Sequence, residues 1–350
     1  MLDFNGNERH SLGEFAVDRG IDARRSGRGV IFEGQDGLFS QTWWPVCRSS
    51  EVAPGQVIGR GFLDGRVAIF RTASGVAQVV SAYCPHNGAD LSVGNVQGEE
   101  LRCKFHLWCF GTSGKCTRTG SGDPVPPGAQ VFAYPTCERY GLIWAFNGEK
   151  PLFDLPDLGY PDDELVFHPE IPSIDINADP WIFMCNTLDF NHIRCVHGIE
   201  FDQEDPDADI EWTPYRVGYS LRAHFVETGA PLRYNLAIHG TNIYWQTGDV
   251  GGRWFGFLFP VGMHRPGTMR CYIIVAAHKG DGSEAALRTA RETVNFAMEL
   301  EKTVVSQDLD ILNSIRFTRG KFTRSDRALG KFIDHITKYP RAHPGAEWIK

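Results

Sequence analysis

Residues 84–106 read CPHNGADLSVGNVQGEELRCKFH, and this stretch decides the fold of the first part of the chain. It holds two pairs of potential metal ligands, C-x-H at Cys84 and His86 and C-x2-H at Cys103 and His106. Sixteen residues separate the pairs, and each pair places its cysteine before its histidine. Proline and glycine in the first pair's segment favour a tight turn. The sequence therefore predicts two short loops that present their ligands to one shared metal centre.

Two thiolates can hold one iron and two imidazoles a second, which is the ligand set of a Rieske [2Fe–2S] centre. Such a centre suits electron transfer at intermediate potential, because neutral imidazoles raise the reduction potential above that of an all-cysteine cluster. Zinc is the alternative, but Cys₂His₂ zinc sites usually place two cysteines before two histidines. The aromatic Trp108 and Phe110, and a proline-rich stretch at 124–128 that could cover the centre, favour the Rieske interpretation. The predicted cluster ligands are Cys84, His86, Cys103 and His106.

Length and composition limit the class of protein. A chain of 350 residues favours two domains. The net charge of -8 and the pI near 5.8 argue against nucleic acid or an anionic membrane as a partner. The chain starts polar, without the apolar segment of a signal peptide, and holds no run of roughly 18 apolar residues that could span a membrane. Together with an odd number of cysteines, nine, this predicts a protein of the reducing cytoplasm.

The chain divides into three predicted parts. Residues 1–40 are polar and rich in glycine and arginine, and we expect an arm that packs on another subunit or domain. Residues 41–150 hold short β-branched runs separated by Asp-Gly and Ser-Gly turns, which are hairpin signals. These runs predict a small antiparallel β domain with strands that include 57–62, 67–71, 76–80, 130–134 and 140–146. A linker rich in proline and glycine at 151–161 begins the third part, 151–350.

The third part mixes strand and helix patterns. A helix is predicted over about 181–193, strand-like runs follow between 219 and 277, and a long helix is predicted from about Glu284 to Ile315. An antiparallel sheet with a long helix laid across it is an α+β fold.

A second candidate metal site lies in this third part, in the pattern N-x2-D-x2-H-x4-H from Asn186 to His197. If 186–192 is helical, Asn186, Asp189 and His192 share one face of the helix. His197 lies five positions after His192, a spacing that suits a helix end, where the second imidazole can turn towards the first. Two histidines and one carboxylate with open positions form the facial triad of non-haem Fe(II) oxygen chemistry.

The carboxylate has to come from elsewhere, and helical periodicity selects it. Val305, Asp308 and Leu312 follow a spacing of three and four residues, so Asp308 lies on the apolar stripe of the long helix. Asp310 points away from this stripe, and Glu301 is a further alternative. Because an aspartate on a buried face is costly unless it is paired or binds a metal, Asp308 is the predicted ligand.

The two sites together resemble those of the Rieske non-haem iron oxygenases, specifically the catalytic α subunits that assemble without a β subunit. The similarity runs from Trp43-Trp44-Pro45 to the long helix, where Gln307-Asp308 looks like the acidic third-ligand segment of the family. One departure is Leu107, which stands where the family usually has glycine. The resemblance implies a Rieske β domain joined to a helix-grip catalytic domain, an antiparallel sheet around a long helix. It also implies one [2Fe–2S] cluster and one mononuclear Fe(2+), held by His192, His197 and Asp308.

The resemblance further implies an α₃ homotrimer in which electrons pass from one subunit's cluster to the neighbour's iron. Asp189 matches the acidic residue that bridges a cluster histidine and an iron histidine across that interface; a plain surface acid is the alternative. The electrons would come from a separate NAD(P)H-dependent reductase, a ferredoxin, or both, since the chain has no G-x-G-x-x-G motif for a dinucleotide.

The expected activity is oxygenation by O₂ of a hydrophobic, aromatic or polycyclic small molecule. The size of the chain favours monooxygenation, while demethylation and desaturation use the same iron site. Two other classes stay open at this stage: a Rieske electron-transfer protein without oxygenase activity, and a zinc-stabilised ligand-binding protein.

Overall fold

The computed structural model describes residues 31–250, 252–318 and 320–350, which form two compact units. The first unit contains Gly34–Leu152, Gly262–Pro266 and Pro340–Lys350. The second unit contains residues 31–33 and the described residues of Phe153–Val261 and Gly267–Tyr339.

The first unit is built from small antiparallel sheets. Its strands in chain order are β1 Phe39–Ser40, β2 Trp43–Arg48, β3 Val57–Phe62, β4 Gly65–Arg71, β5 Ala77–Ser81, β6 Asn95–Gln97, β7 Glu100–Arg102, β8 Cys109–Phe110, β9 Cys116–Arg118, β10 Thr136–Arg139 and β11 Leu142–Phe146. They pair in the orders β10-β11-β2, β3-β4-β5 and β6-β7-β8-β9. The predicted hairpin turn lies between β3 and β4, where Leu63 takes a positive φ of 57°. Apolar side chains of these strands such as Ile69, Phe70 and Trp144 are fully buried.

The strand predicted at 130–134 is wrong. This segment makes only isolated bridges, between Val80 and Ala133 and between Lys115 and Gln130. Its backbone divides its hydrogen bonds between two neighbours, because the Val131 N–H donates to the carbonyl of Gly114 while the segment's other end turns to β5. The segment 130–134 therefore forms isolated bridges with two neighbours and does not become a strand of either sheet.

The second unit holds one ten-stranded antiparallel sheet and four α-helices. Its strands are β12 Leu165–Phe167, β13 Ser173–Ile176, β14 Ile199–Phe201, β15 Glu211–Trp212, β16 Arg216–Phe225, β17 Pro231–His239, β18 Ile243–Val250, β19 Arg253–Arg265, β20 Thr268–Tyr272 and β21 Ile274–His278. The last four residues of β19 are assigned to the first unit. The helices are α1 Pro180–Cys185, α2 Phe190–His197, α3 Glu284–Ser314 and α4 Arg327–Thr337. The main path of the sheet is β12-β21-β19-β18-β17-β16-β14, and α3 packs against β12, β13 and β21. The predicted α+β class with a long helix across an antiparallel sheet is confirmed.

The helix predicted over 181–193 is interrupted. A turn of 3₁₀ helix at Asn186–Leu188 follows α1, and Asp189, with φ −91° and ψ 84°, leaves the helical region before α2 begins. The Asp189 carboxylate accepts a hydrogen bond from the N–H of His192 and caps α2. Gly198, in the left-handed conformation, ends α2 directly after His197. Asp189 therefore stands between two helices, and not on the face of one.

The arm predicted at 1–40 falls mostly on residues 1–30, which lie outside the described part of the chain. Residues 34–40 belong to the first unit, where β1 pairs with the last strand, β22 Arg341–Ala342. The C-terminal residues belong to the same unit, since the Asn147 amide donates to the carbonyl of Ala342 and Ile349 is fully buried. The sequence assigned this segment to the second domain because pairing so distant along the chain leaves no local pattern.

None of the helices in the described part of the chain is both long enough and apolar enough to cross a membrane.

Candidate metal centres

Two loops carry the predicted cluster ligands in the first unit, and each is closed by its own backbone. In the first loop the Cys84 N–H donates to the carbonyl of Ala89 at 2.9 Å, and Gly88 takes a positive φ of 72°. In the second loop the Cys103 N–H donates to the carbonyl of Trp108 at 2.8 Å. The two loops are therefore built alike.

The four side chains form a buried thiol pair and an outer imidazole pair. Cys84 and Cys103 are 3% and 1% exposed, whereas the rings of His86 and His106 reach the surface with centroids 4.5 Å apart. The Trp108 ring stacks on His86 with an interplanar angle of 7° and fixes its orientation. The two thiols are buried and the two imidazoles lie outside them. This separation suits a cluster in which one iron has cysteine ligands and the other has histidine ligands.

The chemistry of the thiol pair fits a metal. Burial and, to a smaller extent, the neighbouring Cys103 raise the pKa of Cys84 to about 12, against a hydrogen bond from the backbone of His86 that lowers it. Two thiols in contact in an apolar setting become thiolates only when a bound cation compensates their charge. The cluster ligand set is thus compatible with the residues present.

Leu107, the departure from the family pattern, adopts φ 59°. This left-handed conformation favours glycine, and a side chain there costs roughly 1–2 kcal/mol. The opposing Gly120 accommodates it, because a Cβ at Gly120 would lie 2.8 Å from the Leu107 Cβ and 2.2 Å from the carbonyl oxygen of His106. Gly120 is therefore a point of close approach between its own segment and the second cluster loop. The covering role of the proline-rich stretch at 124–128 stays a prediction.

The second centre lies wholly in the second unit, where α2 and α3 bring three predicted ligands together. The Nε2 atoms of His192 and His197 are 3.2 Å apart. They lie 3.2 and 3.6 Å from Oδ1 of Asp308. The ligand atoms of these three side chains all lie within 4.8 Å of one another. Among the described residues, this is the one such group of histidine, cysteine, aspartate or glutamate side chains.

This geometry fits a single transition-metal ion. Two ligand atoms bound at about 2.1 Å and at right angles are about 3 Å apart, close to the observed separations. The Asp308 side chain is 5% exposed, and its buried Oδ1 makes no hydrogen bond although two imidazole nitrogens lie beside it. A buried carboxylate oxygen without a donor is costly unless a cation binds there. Its other oxygen accepts a hydrogen bond from the Asn186 amide at 3.2 Å.

The two alternative acids lie elsewhere on α3. Asp310 is exposed, as the helical stripe predicts. Glu301 is buried, but it lies two helical turns before Asp308 and its carboxyl bonds to Gln246.

Gln307, next to the predicted ligand, holds the second imidazole. Its Oε1 is 2.7 Å from Nδ1 of His197, so that nitrogen carries the proton and Nε2 keeps a free lone pair. The sequence marked Gln307 only as part of the family-like segment, since an exposed polar residue gives no periodic signal.

We expect Gln307→Ala to weaken Fe(II) binding by about 10- to 100-fold, the usual effect of removing a partner that orients a ligand. Ser306→Ala is the matched control, because Ser306 bonds only within its own helix. Anaerobic titration of each metal-free variant with Fe(II) measures the change. Equal affinities in the two variants would contradict the orienting role of Gln307.

A cavity of about 120 Å³ adjoins the triad. His197 and Asp308 form part of its wall, and most of the remainder is apolar. Its apolar and aromatic lining side chains include Phe183, Ile193, Leu221, Phe225, Leu232, Leu236, Phe257 and Val305. The volume exceeds what one water needs by several-fold and admits a small organic molecule.

Of the aromatic residues that the sequence offered as pocket candidates, Phe225, Tyr234, Tyr244 and Phe257 line this cavity, whereas Trp245 and Trp254 do not. Trp245 instead donates its indole N–H to the carbonyl of Asp157. The strand alternation of β18 explains the difference, because Tyr244 and Gln246 face the cavity and Trp245 faces the other side of the sheet.

Comparison with known proteins identifies the first unit's domain family and finds similar chains. The family model of the Rieske [2Fe-2S] domain matches residues 42–132. Cholesterol 7-desaturase nvd of Xenopus laevis is 32% identical over 56% of this chain and 45% of its own length. The putative toluene-4-sulfonate monooxygenase system iron-sulfur subunit TsaM2 of Comamonas testosteroni is 30% identical over 46% of each protein. The chain thus matches a little under half the length of these curated relatives.

A likeness to solved structures covers both units. NdmA of Pseudomonas putida CBB5, solved with caffeine, superposes with a TM-score of 0.64 over 87% of this chain and 96% of its own, at 16% sequence identity. At this identity the likeness concerns the fold.

Fold and sites thus define a protein with a Rieske domain and a helix-grip domain. The chain contains a Rieske [2Fe-2S] domain, and its similarity to oxygenase components of known systems supports a Rieske non-haem iron oxygenase. Its Rieske domain implies a [2Fe–2S] cluster, and the catalytic site of this family uses a mononuclear iron.

Proposed function

We propose that this protein is the terminal oxygenase component of a multicomponent Rieske oxygenase. It takes electrons from a separate NAD(P)H-dependent reductase, a ferredoxin, or both, and uses O₂ to oxygenate a hydrophobic small molecule. The observation that carries the proposal is the convergence of His192, His197 and Asp308 at the wall of an apolar cavity. An electron carrier would have no use for such a triad beside a cavity.

In this proposal Cys84 and Cys103 hold one iron of the cluster, and His86 and His106 hold the other. The triad would hold one Fe(2+), and such an iron would supply the activation of O₂. The chain's own contribution is geometric. Gln307 and Asn186 fix ligand orientation, and the apolar wall keeps water from the reacting carbon.

Asp189 has two roles in the proposal. One of its carboxylate oxygens caps α2 and so fixes the start of the helix that carries both histidines. The carboxylate also bridges to a cluster histidine of a neighbouring chain in a homotrimer, where it couples proton and electron movement. The assembly works in the cytoplasm, in line with nine cysteines of which none forms a disulfide.

The favoured reaction is monohydroxylation of an aromatic or polycyclic substrate. The apolar lining of the cavity supports this substrate class, and the printed name of TsaM2 supports monooxygenation. Desaturation is the second candidate, because the similar Xenopus protein is named as a desaturase of cholesterol. Oxidative demethylation uses the same iron site.

Oxygen labelling tests the proposal. The reduced protein is exposed to ¹⁸O₂ with a panel that contains naphthalene, cholesterol and an aryl methyl ether, and the products are analysed by mass spectrometry. Monooxygenation gives one ¹⁸O atom in the product; desaturation gives none and removes two hydrogens. His192→Ala is the control for chemistry at the triad. Equal product from this variant would contradict the proposal.

A further inference from the structure

A hydrogen-bonded group of three polar side chains lines the mostly apolar cavity. The Tyr244 hydroxyl donates to Oε1 of Gln246, and the Gln246 amide donates to Oε1 of Glu301 at 3.0 Å. Glu301 is 6% exposed and, like the other two, lines the cavity. Among the described residues the hydrogen bond from Gln246 to Oε1 is the one made to this carboxyl, and Oε2 accepts none. One carboxyl oxygen is thus held by the protein and the other is left for a ligand.

The surroundings favour the uncharged form of this carboxyl. Burial raises the pKa of Glu301 to about 8, and the hydrogen bond from Gln246 only partly opposes this. Burial and then Glu301 itself raise the pKa of Tyr234 and of Tyr244, which lie nearby. A neutral glutamic acid offers an O–H donor as well as an acceptor oxygen.

Glu301 also stands in a fixed relation to the triad. It lies seven residues before Asp308 on α3, which is two helical turns on the same face and about 10 Å along the axis. A molecule whose polar group bonds to Glu301 therefore extends through the apolar part of the cavity towards the triad.

We propose that Glu301, positioned by Gln246 and Tyr244, is a specificity residue that hydrogen-bonds one neutral oxygen group, a hydroxyl, ether or carbonyl, on an otherwise apolar substrate. The proposal names the substrate class of the oxygenase site and so rests on the proposed function. A site built to bond a polar group discriminates far more strongly than an apolar pocket, because the buried partner is otherwise left unpaired.

Binding of four related probes tests the proposal without turnover: 2-naphthol, 2-methoxynaphthalene, naphthalene and 2-(aminomethyl)naphthalene. Calorimetric titration is made on the full-length protein with its metals, under anaerobic conditions and without reductant. At pH 7 we expect the naphthol and the ether to bind about tenfold more tightly than naphthalene. We expect no such gain for the amine, which is a cation at this pH.

Two variants separate recognition from structure. Glu301→Gln keeps an acceptor for Gln246 and adds a permanent donor, so the preference for the oxygen probes should persist. Glu301→Leu removes both, so naphthol and naphthalene should bind alike. A preference that survives unchanged in Glu301→Leu would overturn the proposal. The proposal would also be overturned if the natural protein preferred the amine to the oxygen probes and Glu301→Gln abolished that preference. Failure of all four probes to bind would overturn it as well.

The pH dependence gives an independent readout should Glu301→Leu not fold. The ether can only accept a hydrogen bond, so its advantage over naphthalene requires the protonated acid. That advantage should be present at pH 6–7 and lost above about pH 8 in the natural protein, but should not change in Glu301→Gln. The other titratable groups at the cavity wall are His197, Tyr219, Tyr234, Tyr244 and Asp308. They are common to both proteins, so identical pH profiles would overturn the proposal.

The outcomes also separate this proposal from the proposed function. A protein that discriminates among the probes but never oxygenates any substrate would contradict the oxygenase assignment alone. One that oxygenates apolar compounds without discrimination would contradict the role of Glu301 alone.

Discussion

Asp308→Ala removes the mononuclear iron and leaves the spectrum of the [2Fe–2S] cluster unchanged. Two imidazoles alone make a poor site for Fe(II), which prefers mixed nitrogen and oxygen ligands. We expect Fe(II) affinity to fall by more than about 100-fold, because removing a partner that only orients a ligand already costs 10- to 100-fold. The loss of turnover should be complete within detection. Iron analysis after dialysis, with the visible spectrum recorded on the same sample, measures both.

Asp310→Ala is the matched control, since Asp310 lies two residues away on the exposed side of α3. It should keep its iron and its activity. The stability of the metal-free proteins gives a second readout. Asp308→Ala should melt no lower than the natural protein, because the substitution removes a buried carboxylate oxygen that lacks a donor. The ligand choice would be wrong if Asp310→Ala lost the iron and Asp308→Ala retained it.

Asp189→Asn is expected to keep both metals and lose most of its turnover. Asparagine caps a helix about as well as aspartate, so α2 and its histidines should stay in place. The amide cannot hold the proton of an imidazolium as a carboxylate does, so electron transfer between subunits should slow by about 100-fold. Steady-state turnover with a reductase, and reoxidation of the reduced cluster by O₂ in the presence of substrate, measure the loss.

Asp189→Ala separates the two roles of this residue. It removes the cap as well as the charge, and should cost about 1 kcal/mol of stability beyond Asp189→Asn. If Asp189→Asn turns over at the normal rate while Asp189→Ala is only less stable, the carboxylate is a helix cap and the bridging role is wrong.

Local chemistry explains which parts of the structure could be predicted. The two cluster loops are continuous segments, and their ligands, turn residues and Trp108 all appear within a short stretch. Asp308 could be predicted for a different reason. A single aspartate on the apolar stripe of a long helix departs from the apolar pattern around it. In both cases the residues that decide the feature are close in sequence.

The missed features depend on contacts between distant segments. The pairing of β1 with β22 and the divided hydrogen bonds of 130–134 leave no periodic trace. Asp189 lies between two helical segments, and the sequence predicts one continuous helix across it. The interruption is evident only in the structure, where the Asp189 carboxylate caps α2. Helical periodicity leaves Glu301 open as an alternative metal ligand. Its hydrogen bond with Gln246 on β18 instead places its carboxyl in the cavity wall, two helical turns before Asp308.

The central claim is that one chain holds a Rieske cluster and a separate catalytic iron. Iron and acid-labile sulfide per chain, with an EPR spectrum after reduction by dithionite, test it most directly. We predict about three irons and about two sulfides per chain, with the rhombic signal of a reduced Rieske cluster. Zinc without sulfide would contradict the cluster assignment and the function built on it. Two irons with two sulfides, unchanged after anaerobic reconstitution with Fe(II), would leave an electron carrier.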